Sequence, residues 1–141
     1  MKNIFESSWW SLQLPADWEW EEGEDCVSFF SDDSVGALQV SAYQKEGADV
    51  DDADLLEFIP EEIPVASGTP VKIGVFTGFL ISYHEDETYW RQWWLKAGQI
   101  MVYLTYNTDP ADQGTEDAVI DQIVSTLKLR PPEFPEPQQV Q

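Results

Sequence analysis

Three long segments, Val75 to Tyr83, Tyr89 to Lys96 and Gln99 to Asn107, are separated only by turns around Glu85-Asp86-Glu87 and Ala97-Gly98. Runs of this length, rich in aromatic and β-branched residues and joined by connections this short, predict consecutive antiparallel hairpins. In a pleated strand successive side chains point to opposite faces. Tyr89, Arg91, Trp93 and Leu95 therefore share one face, and Trp90, Gln92, Trp94 and Lys96 the other. In the next segment Ile100, Val102, Leu104 and Tyr106 oppose Met101, Tyr103, Thr105 and Asn107 in the same way. Both faces of this meander carry large side chains, so both need cover.

The flanking segments supply part of that cover. Trp9 to Leu14 reads as a first strand stopped by Pro15. The acidic stretch Glu19 to Asp25 reads as a loop leading into a second strand, Cys26 to Phe30. After a turn at Asp32 to Gly36, Leu38, Val40 and Ala42 alternate with polar neighbours as a third strand. In Asp51 to Ile59 the carboxylates precede the apolar group, the order that suits a helix N-terminus, and Pro60 and Pro64 limit that helix to a few turns. Ala66 to Pro70 reads as a loop, and Val71 to Ile73 begins the run of strands. Beyond the loop Thr108 to Gly114, Thr115-Glu116-Asp117 suits a helix start. Val119, Ile120, Ile123, Val124 and Leu127 then recur at helical spacing, ending near Lys128.

The order β-β-β-α-β-β-β-α predicts a single α+β domain over residues 1–130, an antiparallel sheet of about six strands with flanking helices. Residues 131–141 contain four prolines and read as an extended or disordered tail. Two short helices cannot cover two faces, so a further helix or a binding partner is expected over some of the aromatic residues.

Charge narrows the partner. The 141 residues include 27 Asp and Glu against 7 Lys and Arg, a formal charge of −20. Leu, Ile, Val and Phe number 36, enough for a folded core despite the self-repulsion. Nucleic acid is not an expected partner, because phosphate neutralisation needs clustered cations, and anionic membranes are disfavoured on the same ground. The N-terminus lacks the apolar run of a signal peptide and no stretch has the length of a membrane span, so the expected location is cytoplasmic. Cys26 is the only cysteine, which excludes an internal disulfide and predicts a buried strand thiol.

Several features together resemble the PsbP-like and Mog-like superfamily, including small cytosolic bacterial members of the DcrB-like and type VI secretion effector-chaperone kind. They are the opening Trp10-Ser11-Leu12-Gln13-Leu14-Pro15-Ala16-Asp17-Trp18, the strand Leu38-Gln39-Val40-Ser41, the hairpin from Trp90-Arg91-Gln92-Trp93-Trp94 to Tyr106-Asn107, and the closing helix Glu116 to Leu127. The resemblance spans about residues 5 to 129. It implies a curved antiparallel sheet with flanking helices and a scaffold or adaptor role, and it carries no shared catalytic residues.

No catalytic constellation is legible. His84 is the sole histidine and position 88 is Thr, so the His-Glu-x-x-His spacing of a zinc site is absent, and no Gly-x-Ser-x-Gly elbow accompanies it. Asp49 to Asp54 superficially resembles a calcium loop, but Ala53 occupies a ligand position in either register. Gly74 to Gly78 lacks the ending of a phosphate loop. No catalytic residue, cofactor or metal is therefore expected, and a hydrolase using a carboxylate pair is the least favoured reading.

Binding signals are stronger. Trp90, Trp93, Trp94 and Tyr103 belong to the side-chain types enriched at interface hot spots. Glu85, Asp86 and Glu87, with Glu19 to Asp25 and Asp49 to Glu62, form acidic stretches able to steer a basic partner. The charge of −20 far exceeds the magnitude of about 2 to 8 that solubility asks of a small domain. The expected function is non-enzymatic protein binding, as an immunity protein or effector-binding adaptor or chaperone of a bacterial toxin or secretion system. Its partner is expected to be basic or to expose an apolar segment. The alternative is a structural or regulatory domain that dimerises through its aromatic face.

Overall fold

A computed structural model describes residues 3–59 and 68–130 of the chain. Five strands come first: β1 (Asn3–Glu6), β2 (Trp10–Leu14), β3 (Trp18–Glu22), β4 (Val27–Ser31) and β5 (Gly36–Gln44). Helix α1 (Asp52–Phe58) precedes β6 (Thr69–Ile73), β7 (Phe76–Glu85), β8 (Thr88–Ala97) and β9 (Ile100–Thr108). Helix α2 (Asp117–Ser125) and the two-residue β10 (Lys128–Leu129) complete the described chain. The limit set by Pro60 and Pro64, the start of the expected loop at Ala66, and the proline-rich tail lie outside the described residues.

The strands form two antiparallel sheets. The larger runs in the order β3-β4-β5-β9-β8-β7-β6, and the smaller in the order β1-β2-β10. The expected meander is the β7-β8-β9 part of the large sheet. Its register sets Trp93 opposite Leu104 and Trp94 opposite Tyr103 across β8 and β9, and Tyr83 opposite Trp90 across β7 and β8. The β7-β8 turn places Asp86 and Glu87 at positive φ, 53° and 59°, the sense of backbone turn that matches the right-handed twist of a two-residue hairpin. Gly78 interrupts the apolar run of β7 because a Cβ there would lie 1.8 Å from the carbonyl oxygen of Trp94.

The expected sheet of about six strands is corrected to seven plus a separate sheet of three. The acidic segment after Pro15 is not a loop throughout: Trp18 to Glu22 is edge strand β3, paired with β4. Trp18 and Trp20 alternate with Glu19 and Glu21 on opposite faces; Trp18 is buried, while Trp20 at the sheet edge stays 38% exposed. Trp20 meets Phe5 edge to face at 5.3 Å. Carboxylates on an edge strand also discourage pairing with other chains.

One face of the large sheet is sealed by the small sheet and α2. Phe5, Trp10, Leu12 and Leu14 from the small sheet, and Ile120, Ile123, Val124 and Leu127 from α2 and the residues after it, share one core with Phe29, Leu38, Val102 and Leu104. The missing cover is thus a second sheet, invisible in the order of long elements because β1 and β10 are four and two residues long.

Helix α2 is also shorter than its apolar periodicity suggests. Thr126 ends it by donating through Oγ1 to the Ile123 carbonyl at 2.6 Å, while that hydroxyl accepts the Gln13 amide at 2.9 Å. The chain then turns into β10 against Ser11 and Trp10. Glu116, the residue at the helix start, makes no side-chain cap. Its Oε1 instead accepts the Tyr106 hydroxyl at 2.8 Å and the Gly36 amide at 3.2 Å, tying α2 to the sheet. Cys26 lies half-buried in the turn before β4, where its carbonyl accepts the Gly23 amide at 2.8 Å, and not within a buried strand as expected.

Candidate functional site

The opposite face of the large sheet is covered differently. Met101, Tyr103, Thr105 and Asn107 of β9, Trp90, Gln92, Trp94 and Lys96 of β8, and Phe79, Ile81 and Tyr83 of β7 share it by register. Over one end lies α1, only seven residues long. Its formation follows from Asp51 and Asp54, which make a reciprocal capping box: the Asp54 amide donates to Asp51 Oδ1 at 2.8 Å and the Asp51 amide to Asp54 Oδ2 at 3.0 Å. Asp54 also pairs with Lys45 at 2.7 Å, which holds its carboxyl below the usual range, with the Asp51 amide adding to the effect. The cluster that resembled a calcium loop is therefore engaged in starting a helix. Among the described residues no group of three or more His, Cys, Asp or Glu is placed to hold a metal ion.

Leu55 pins α1 to Met101 and Val50, with Phe79 alongside, and Ile59 packs against Ile81 and Trp94. Next along the strands, Trp94 stacks on Tyr103 with ring centroids 4.1 Å apart. Farther toward the β7-β8 turn, Tyr83 and Trp90 lie parallel at 6.4 Å. Gln92 sits between these two stacks in register and donates through Nε2 to the Tyr83 hydroxyl at 2.9 Å. Gln92 Oε1 and Trp94 Nε1 are buried and have no hydrogen-bond partner among the described residues. Burial, with Tyr83 and Tyr43 nearby, pushes the Tyr103 phenol up to about 12.

The structure brings Trp90, Trp94 and Tyr103 onto this face and sends Trp93 to the other. Trp93 is 3% exposed, packed in the core beneath the small sheet and α2, with the Arg91 guanidinium 4.8 Å from its ring centroid. Arg91 is itself buried and reaches Asp121 of α2 at 2.6 Å and Asp117 at 3.6 Å. Trp93 is therefore corrected from a candidate contact to a core residue. Trp94 is also buried, at 4%, so the half-buried members of the expected cluster are Trp90 and Tyr103, joined by Tyr83. The apolar run of β7 masks Tyr83 in the sequence. Its signal is the period-two position it shares with Ile81.

Carboxylates border this face on three sides. Glu85, Asp86 and Glu87 are exposed at the β7-β8 turn, residues around α1 lie at the opposite end, and Glu19 and Glu21 project from β3 on the same face as Ser28 and Phe30. His84, beside the turn, bonds through Nε2 to Gln113 Oε1 at 2.6 Å and tilts against the Tyr89 ring. No helix among the described residues is long and apolar enough to cross a membrane.

This arrangement, a large antiparallel sheet with helices on each side, is the fold of PsbP-like proteins. A solution structure of PsbP from the cyanobacterium Synechocystis matches with a TM-score of 0.52 at 12% identity, over 92% of each chain. A crystal structure of LpqN, described as involved in cell envelope biogenesis of Mycobacterium tuberculosis, matches with a TM-score of 0.55 at 14% identity, over 93% of this chain and 85% of that one. A crystal structure of a Bacteroides thetaiotaomicron protein matches with a TM-score of 0.67 at 22% identity, and this chain spans 93% of its own length but only 49% of that protein's. The chain itself belongs to the family described as Domain of unknown function (DUF3805), whose model matches residues 1–140. Comparison with curated proteins returned no match.

Proposed function

We propose that this chain is a non-enzymatic, cytoplasmic protein-binding domain. The role it suits is that of an immunity protein or effector-binding adaptor of a bacterial toxin or secretion system. The observation that carries this reading is the face around Gln92. Half-buried Tyr83, Trp90 and Tyr103 surround two buried polar atoms, Gln92 Oε1 and Trp94 Nε1, that lack partners among the described residues. A buried donor or acceptor left unpaired costs about 1 to 3 kcal/mol, and a partner that reached them by displacing a half-buried ring would recover it. Aromatic residues beside such groups supply contact area at low conformational cost. The carboxylates bordering the face would speed encounter with a basic partner.

The test is affinity capture from the native host's lysate at low and at high salt, with wild type, Trp90→Ala and a Glu85→Gln/Asp86→Asn/Glu87→Gln triple variant. A basic protein held by wild type, lost by Trp90→Ala and bound more slowly by the triple variant is the expected result. Equal retention by all three chains, or retention of nothing at either salt, overturns the reading.

A further inference from the structure

Beside α1, away from the Gln92 cluster, a pocket of about 220 Å³ opens between the helix and β5, lined by Tyr43, Lys45, Val50, Glu57, Phe58 and Met101 among others. Val50 and Met101 are buried apolar side chains. Tyr43 and Phe58 stack at 5.8 Å with an interplanar angle of 24°, yet remain 46% and 53% exposed. An exposed aromatic pair contributes little to the core, and its π faces attract cations. The charge at the mouth has the matching sign. Lys45 faces Asp54 at 2.7 Å and lies within electrostatic reach of Asp51 and Glu57 as well, so one ammonium stands against three carboxylates.

Size decides what kind of cation fits. Pockets for drug-sized ligands start near 300 Å³, so this one suits a single long side chain. A lysine ammonium is compact and strongly hydrated, whereas a guanidinium is planar, more weakly hydrated, stacks on aromatic rings and takes carboxylates in a fork. We propose that the pocket beside α1 receives an arginine side chain from a basic segment of the partner protein, its methylenes against Val50 and Met101, its guanidinium between the Tyr43-Phe58 pair and Glu57. This rests on the protein-binding reading above and places a second contact at the other end of the same face.

The experiment is an NMR titration of the isotopically labelled full chain with N-acetyl-Gly-Arg-Gly-amide and with the same peptide carrying citrulline, the neutral isostere of arginine. Shift changes concentrated at Tyr43, Lys45, Phe58 and Met101 are expected. Affinity should fall roughly tenfold or more with citrulline, and by a similar factor in Glu57→Lys, since each removes a charge-assisted contact. Glu57 is exposed, so unchanged β-sheet resonances in that variant will show that the fold is kept. Absence of shifts at the pocket, or equal binding of the citrulline peptide, overturns the proposal. The aromatic-face reading fails separately: arginine binding at the pocket together with unaltered lysate capture by Trp90→Ala removes that reading alone, whereas loss of capture with no peptide binding removes only the pocket.

Discussion

The two faces of the large sheet are built from the same seven strands, yet they are finished by different means. One meets a three-stranded sheet and α2, and its residues Phe29, Leu38, Val102 and Leu104 are fully buried in a single continuous core. Its polar groups meet across layers, Arg91 with Asp121 and Tyr106 with Glu116, and its two buried atoms without a hydrogen bond among the described residues, Arg91 Nη1 and Asp117 Oδ1, face each other as an ion pair at 3.6 Å. The other meets a seven-residue helix, carries two small clusters around Ile81 and Leu55, and buries Gln92 and Trp94 with one polar atom each unpaired among the described residues. The contrast separates a face closed by one continuous core from one on which Tyr83, Trp90 and Tyr103 stay half-buried.

The strongest way to break that contrast is truncation on both sides. Phe29→Ala should destabilise the chain by about 3 to 5 kcal/mol, because it deletes a fully buried ring from a packed core. Trp90→Ala removes a half-buried ring and should cost about 1 kcal/mol, near the middle of the range for single substitutions. Urea denaturation measures both, and equal losses would mean that the two faces contribute alike.

Alkaline titration tests a subtler difference, since each face raises a tyrosine for its own reason. Tyr106 is held above its ordinary range first by burial and then by its bond to Glu116, whereas Tyr103 is raised to about 12 by burial with nearby tyrosines adding. A phenol that ionises later in the folded chain than in the unfolded one stabilises fully below about pH 10, and that contribution drains away as pH rises toward the folded value. Stability should therefore fall between about pH 10 and 12, and less steeply in Tyr103→Phe, which has no proton to lose there. Denaturant melts at about pH 9 and about pH 11 check the sign, and an unchanged slope in Tyr103→Phe would show that its burial does not govern its ionisation.

The smallest effect is expected at Gln92. Gln92→Met gives up the bond to Tyr83 but also removes a buried acceptor that has no partner among the described residues. The opposing terms should leave stability within about 1 kcal/mol of wild type by thermal or chemical melts, and a loss well beyond that would show the glutamine to be an essential tie.

Much of the fold was legible because period-two alternation acts locally. It set the facing of Tyr89 to Lys96 and of Ile100 to Asn107, and the register of β8 and β9 follows it. Charge is a poor guide at β3, where carboxylates alternate with Trp18 and Trp20 in a strand, and apolar periodicity is a poor guide at the end of α2, where Leu127 is buried but lies beyond the helix. At the candidate site, Trp90, Trp94 and Tyr103 share a face as their spacing required, but nothing in spacing alone distinguishes Trp93 as the core residue. That distinction depends on which face receives the small sheet, whose strands β1 and β10 are distant in sequence and pair only through β2.

The sequence by itself determined an acidic, antiparallel α+β chain with aromatic side chains on both faces of one meander, because strand alternation and charge are properties of neighbouring residues. The tertiary structure alone decided which face would be sealed, which acids would cap a helix or anchor it, and where an apolar pocket would open beside α1. Those outcomes depend on contacts between segments far apart in the chain, such as Gln13 with Thr126 and Lys45 with Asp54, whose partners no local pattern specifies.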